Sequence, residues 1–263
     1  MSETIANSAD YLQHHMHNWQ LNLHNFTFSN GSFWVLDLDT ILISVVLGVL
    51  FLGLFYWVAR RATTGTPSKL QNVIEISIEA IEKTVKESCH HDRRFIACLA
   101  LTIFVWIFLM NFMDLIPVDL VPMFMSLLGA PYFKAVPTTD PSLTFALSIS
   151  VFVLIIYYNF KIKGPLKLTK EILSKPFGWY LFPINIIFRL IEEFVKPISL
   201  SLRLFGNLFA GEIVFLLIAL LPWYMQFPLG FIWTMFHLLV IVIQAFIFMM
   251  LTIVYLGIAQ ESH

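Results

Sequence analysis

Residues 184–221 read INIIFRLIEEFVKPISLSLRLFGNLFAGEIVFLLIALL, an apolar run that nonetheless carries Arg189, Glu192, Glu193, Lys196, Arg203, Asn207 and Glu212. At about 1.5 Å per residue a helix over this stretch measures about 57 Å, nearly twice the ~30 Å hydrocarbon core of a bilayer. It must therefore tilt strongly or break, and it carries charge to membrane depth. On a helical wheel centred on Arg203, the side chains of Arg189, Glu192, Lys196, Ser199 and Asn207 fall within about 40° of it on either side and form one stripe. Gly206 and Ala210 flank that stripe and leave a face small enough for another helix to approach. Glu212 lies about 180° from Arg203 and about 13.5 Å further along the axis, so the two form no ion pair on a straight helix. Pro197, Gly206 and Gly211 are the positions where the helix would distort if both faced one neighbour.

The closing stretch, 229–259, supplies His237 and Gln244, which share a face within about 20°. A turn centred near Tyr224 and bounded by Pro222 and Pro228 makes the two stretches a long antiparallel hairpin. Facing residues in such a hairpin have nearly constant index sums, which sets Arg203 level with Gln244 and Glu212 level with His237. An intramembrane charge costs about 2.5–3.5 kcal/mol even on lenient insertion scales, so Arg203 and Glu212 are functional candidates. Glu192, Glu193 and Lys196 admit a second reading, as side chains snorkelling to the interface.

Composition sets the solvent. Hydrophobic residues make up 58% and charged residues 13% of the chain, with a mean hydropathy of +0.78. Soluble domains carry about 25% charged residues, so the expectation is an all-α membrane protein forming one membrane domain over 1–263. A net charge of −1 gives no footprint for nucleic acid. Cys89 and Cys98 make no disulfide framework. His14, His15, His17 and His24 form no recognised metal site, and no cofactor motif is present.

Five spans are expected, at 41–58, 95–113, 144–160, 184–221 and 229–259, with 1–40 preceding them as a soluble segment. Between the first two, residues 68–88 alternate Val73, Ile76, Ile81 and Val85 with Glu75, Glu79, Lys83 and Glu87, the pattern of an amphipathic surface helix. Asp114 and Asp119 begin a Pro-rich loop at 114–143, within which 123–128 has the length of a short re-entrant turn. A second loop is expected at 161–183. Of sixteen Lys and Arg, seven lie between Arg60 and Arg94 and five between Lys161 and Lys175. The positive-inside rule places those two loops in the cytoplasm, the N-terminus outside and the C-terminus inside.

A glutamate and a histidine at one depth can pass a proton between water and the membrane interior. Arg203 cannot, because its guanidinium is never deprotonated in practice, so it bars protons while attracting a carboxylate. The chain has no phosphate-cradling loop, which excludes ATP chemistry of its own, and no H-E-x-x-H pair for a membrane metalloprotease. A self-contained proton-coupled transporter is the alternative; it would show internal repeats, which the span pattern lacks.

The residues 199–207, SLSLRLFGN, followed by Ala210-Gly211-Glu212, resemble the signature of subunit a of the F-type ATP synthase, and His237, 244–248 and 251–256 are similar to its proteobacterial members. So are 99–117, and the likeness covers most of the chain. The resemblance implies a non-catalytic, proton-conducting stator in a bacterial inner membrane, its long hairpin facing a rotor ring of c subunits, with a b-subunit stalk, membrane lipid and no cofactor. It implies that Arg203 faces the ring's carboxylate between two half-channels, that Glu212 and His237 line the periplasmic inlet, and that Asn207 and Gln244 are polar neighbours of the arginine. Asp114, Asp119, Glu192, Glu193, Lys196 and Ser199 are candidate lining residues, and helix 68–88 would meet the stalk.

Overall fold

The computed structural model describes residues 20–22, 35–63, 65, 67–89, 92–116, 134, 136–174 and 178–260. Asp119, the four N-terminal histidines and the 123–128 turn lie outside the described residues. Two short strands, β1 (Gln20–Asn22) and β2 (Val35–Asp37), pair antiparallel with Gln20 opposite Asp37. The helices are α1 (Leu38–Arg60), α2 (Lys69–Ser88), α3 (Arg93–Phe112), α4 (Pro141–Ser174), α5 (Phe182–Ala219) and α6 (Trp223–Gln260). Single 3₁₀ turns occupy Met113–Leu115, Pro137–Thr139 and Trp179–Leu181. Among the described residues five helices, all but α2, are long and apolar enough to cross a membrane.

Three elements differ from the sequence expectation. The strand pair, too short for a period-two signal, adds a small β element to a chain expected to be all-α. The span placed at 144–160 belongs to a helix that continues to Ser174 through a kink at Gly164 (φ 71°). Positive φ is open to glycine, and Pro165 then takes the first position of the next turn, where its missing N–H costs nothing, so much of the expected 161–183 loop is helical. The hairpin turn lies at 220–222, ahead of Tyr224. The carbonyl of Pro222 already accepts from Met225 N–H and Gln226 N–H, which starts α6 at Trp223 and leaves Pro228 inside it. Gln226 Nε2 donates to the carbonyls of Ala219 (2.8 Å) and Leu221 (2.7 Å), satisfying the end of α5.

The chain forms two compact units. One comprises 1–54, 106–143 and 205–244, with Ile107, Met110, Leu208, Leu216 and Ile241 buried. Here Gly48 lets the Trp106 ring reach the α1 backbone, where Nε1 donates to Ser44 C=O at 2.9 Å. Outward, α1 exposes Val45, Val46, Val49, Leu50 and Leu52, which suits a helix whose solvent is lipid.

At the head of α1, burial and then the nearby Asp140 carboxyl push the Asp37 carboxyl up to about 6. A carboxyl raised on folding contributes stability below its ordinary value of 3.8 and loses that contribution as pH rises through about 6. Amide exchange at Leu21 and Leu36, paired across the strands, should therefore quicken between pH 5 and pH 7 by more than the intrinsic rate. Asp37→Asn should remove that excess, and an identical excess in the variant would deny Asp37 the role.

The other unit comprises 55–105, 144–204 and 245–263. Ser68 caps α2 by accepting from Gln71 N–H at 3.3 Å, and the helix buries Ile81 and Val85 while exposing its charged face. Its C-terminal end lies so close to α6 that a Cβ on Gly257 would come within 2.5 Å of Ser88 C=O. Lys161 on α4 pairs with Asp92 at 2.7 Å.

Candidate proton-handling residues on α5 and α6

The α5 helix runs through Pro197 as one element of 38 residues. With no break to re-aim it, the opposition expected on the wheel persists. Arg203, Gly206, Asn207 and Ala210 are exposed, and nothing would meet a Cβ placed on Gly206 within 4 Å. Leu204, Leu208 and Glu212 are buried, the last only 5% exposed. Arg203 forms no ion pair or hydrogen bond among the described residues.

Lower on α5 the charges compensate one another. Arg189 meets Glu193 at 2.8 Å and Glu192 at 3.5 Å, while Lys196 meets Glu192 at 3.1 Å and Glu193 at 3.2 Å. All four pairs have i,i+3 or i,i+4 spacing, so helix geometry alone brings them together. Lys196 also lies 5.9 Å over the Tyr255 ring of α6, and Ser199 is half-buried on the same helix. The quartet has no net charge, and the arrangement is compatible with an interfacial network as well as with a polar path.

Around Glu212 the structure assembles residues from four parts of the chain. His237 on α6 is 1% exposed, and its Nε2 hydrogen bonds to Asp114 Oδ2 in the 3₁₀ turn after α3. The partner of Glu212 is Lys134, with Nζ 3.3 Å from Oε2. Glu212 and His237, which the index sums set level, each have a different partner: Lys134 for Glu212 and Asp114 for His237. Thr139, whose Oγ1 donates to Val136 C=O at 2.9 Å, also interacts with Glu212. Phe215 lies edge-on to the imidazole at 5.4 Å and Trp233 stacks near it at 6.3 Å, so two aromatic rings pack against it. Gln244, one helical repeat further along α6, is buried at 6% exposure.

Chemically this arrangement can act as a relay. A carboxylate and an imidazole in direct contact share a proton, and a second carboxylate beside a buried ammonium offers the next acceptor. Lys134 was not singled out by sequence, because a lone lysine in a Pro-rich loop has no periodicity to place it. Asn111 was also missed: both its amide atoms are buried without a partner, one turn before Asp114, which marks a polar demand inside an apolar helix.

The family model described as ATP synthase A chain matches residues 41–257. The chain is 68% identical over 256 residues to a protein named ATP synthase subunit a from Coxiella burnetii (strain CbuK_Q154), covering 97% of each. It is 53% identical over 264 residues to a protein of the same name from Shewanella halifaxensis (strain HAW-EB4), covering 97% of this chain and 96% of the relative.

Proposed function

The chain belongs to the ATP synthase A chain family, and on that premise we propose how its residues divide the work of an integral membrane stator that conducts protons but performs no ATP chemistry. Arg203 sits between two offset half-channels and meets the carboxylate of a rotating c-subunit ring through the exposed face it shares with Asn207. Glu212, His237 and Asp114 form the periplasmic inlet, and Asp119 is a further candidate lining residue. Gln244 provides a polar step near the arginine, and Glu192, Glu193, Lys196 and Ser199 line the cytoplasmic route. The exposed side of α2 receives the b-subunit stalk. The basic loops lie in the cytoplasm of a bacterium whose inner membrane holds the five helices, so the N-terminus is periplasmic and the C-terminus cytoplasmic. The self-contained transporter has no support among the relatives, which are named as a synthase subunit.

The observation that carries this reading is the division of α5 into an exposed face, where Arg203 pairs with no described residue, and a buried face with Glu212 beside Lys134 and near Asp114. An exposed arginine on an apolar helix suits a carboxylate supplied by a partner, whereas Glu212 has its cation within the chain. Glu212→Gln should slow ATP-driven proton pumping in inverted vesicles by about 100-fold or more, the usual scale for loss of a positioned proton-transfer group. Wild-type rates in that variant would remove Glu212 from the path.

A further inference from the structure

We propose that Lys134 is the positioning residue of the inlet: its ammonium aims the Glu212 carboxyl, and so sets the pH at which that group takes up and yields a proton. This rests on the reading of Glu212 as a proton carrier.

Three contacts grip Lys134. Its backbone N–H donates to Asp39 Oδ2 at 3.1 Å, and Asp39 is in turn fixed at the start of α1, where Oδ1 accepts from Thr40 N–H at 2.8 Å. Its Nζ lies 3.3 Å from Glu212 Oε2, with both side chains almost fully buried, at 6% and 7% exposure. The same Nζ lies 5.8 Å over the ring of Phe209, which precedes Glu212 by one turn of α5. The loop is thus pinned by its peptide to one helix and by its charge to another.

Such a contact exceeds what loop packing requires. Burying a lysine is costly unless its charge is matched, and removing one partner of a buried pair leaves the other uncompensated. Glu212 Oε2 lies 3.3 Å from the ammonium, and the attraction between them is chiefly one of charge. A carboxylate next to a fixed cation accepts a proton only transiently and returns it readily; without the cation, desolvation favours the neutral acid, which keeps its proton.

The other groups facing Glu212 do not replace this cation. Asp114 contributes negative charge, Thr139 a hydroxyl, and His237 is engaged with Asp114. Asp39 is spent on the Lys134 backbone, and Asp37 and Asp140 act on each other.

The test uses the complete complex in proteoliposomes, with passive proton conduction driven by a potassium diffusion potential and recorded from about pH 5.5 to 9. Lys134→Met should move the midpoint of conduction upward by about one pH unit or more, a ~10-fold rise in proton affinity, and Lys134→Arg should bring the midpoint back. Conduction lowered equally at every pH, with the midpoint unmoved, would overturn the proposal and leave Lys134 as a loop anchor. If Lys134→Met does not assemble, Lys134→His decides. It should follow wild type where imidazole is charged, below roughly pH 6, and depart from it above roughly pH 7; a wild-type profile throughout overturns the proposal. Glu212→Gln is measured alongside. Full conduction there removes the carrier itself, whereas impaired conduction with an unmoved Lys134→Met midpoint removes only the positioning role.

Discussion

Arg203→Lys is expected to abolish ATP-driven proton pumping in inverted membrane vesicles, although it preserves formal charge. The side chain is exposed on a helix long and apolar enough to cross a membrane, and no described residue pairs with it. Holding a charge at such depth costs about 2.5–3.5 kcal/mol on insertion scales, so the site persists only if a partner's carboxylate repays that cost. A guanidinium keeps its charge in low dielectric and meets a carboxylate with a planar fork. An ammonium is a compact point charge that sheds its proton when desolvated. On the proposed role of this position, a lysine that can deprotonate also opens the barrier, so both coupling and insulation fail. Fluorescence quenching of a pH-sensitive dye, normalised to the amount of assembled complex, reads the outcome. Pumping at a substantial fraction of wild type would mean that permanent charge and planarity were not what the site requires.

The two-faced character of α5 was legible in the sequence because it needs only one number, the ~100° turn per residue. Arg203, Asn207 and Ala210 emerge together and Glu212 lies with Leu204 and Leu208 inside, with no distortion at Pro197, Gly206 or Gly211 needed to explain it. The amphipathic α2 was legible for the same reason. What periodicity cannot supply is contact across the fold. Asp114 meets His237 from a sequence separation of 123, and Lys134 reaches Glu212 from a loop whose prolines carry no repeat. The extension of α4 was hidden for a different reason. The lysines after Phe160 end the hydropathy signal, but hydropathy reports the end of the membrane, whereas the helix ends where backbone chemistry stops it. At Gly164 the backbone leaves helical geometry, and Pro165 opens a second helical stretch that runs to Ser174.

Gly211→Ala is the second substitution expected to have a drastic effect, and it tests the buried side of α5 as Arg203→Lys tests the exposed side. A Cβ at 211 would lie 2.7 Å from His237 Nδ1, 3.0 Å from Nε2 and closer still to Cε1. A real Cβ never approaches a ring so closely, so something must move. The α5 backbone is fixed by its own hydrogen bonds, and the imidazole is confined by Phe215 and Trp233. The ring can yield only by turning out of its site, which breaks its bond to Asp114. Overpacking of this kind costs about 1–3 kcal/mol, tolerable for a large membrane fold. Displacing a proton-exchanging group by about an ångström costs far more in rate, on the order of 100-fold. Gly211→Ala should therefore assemble to near-normal levels and conduct almost nothing. In a His237→Ala background the clash is gone, so adding Gly211→Ala there should change neither assembly nor residual conduction further, a strong departure from additivity. If the two substitutions instead act independently, the methyl group harms the protein by some route other than the imidazole.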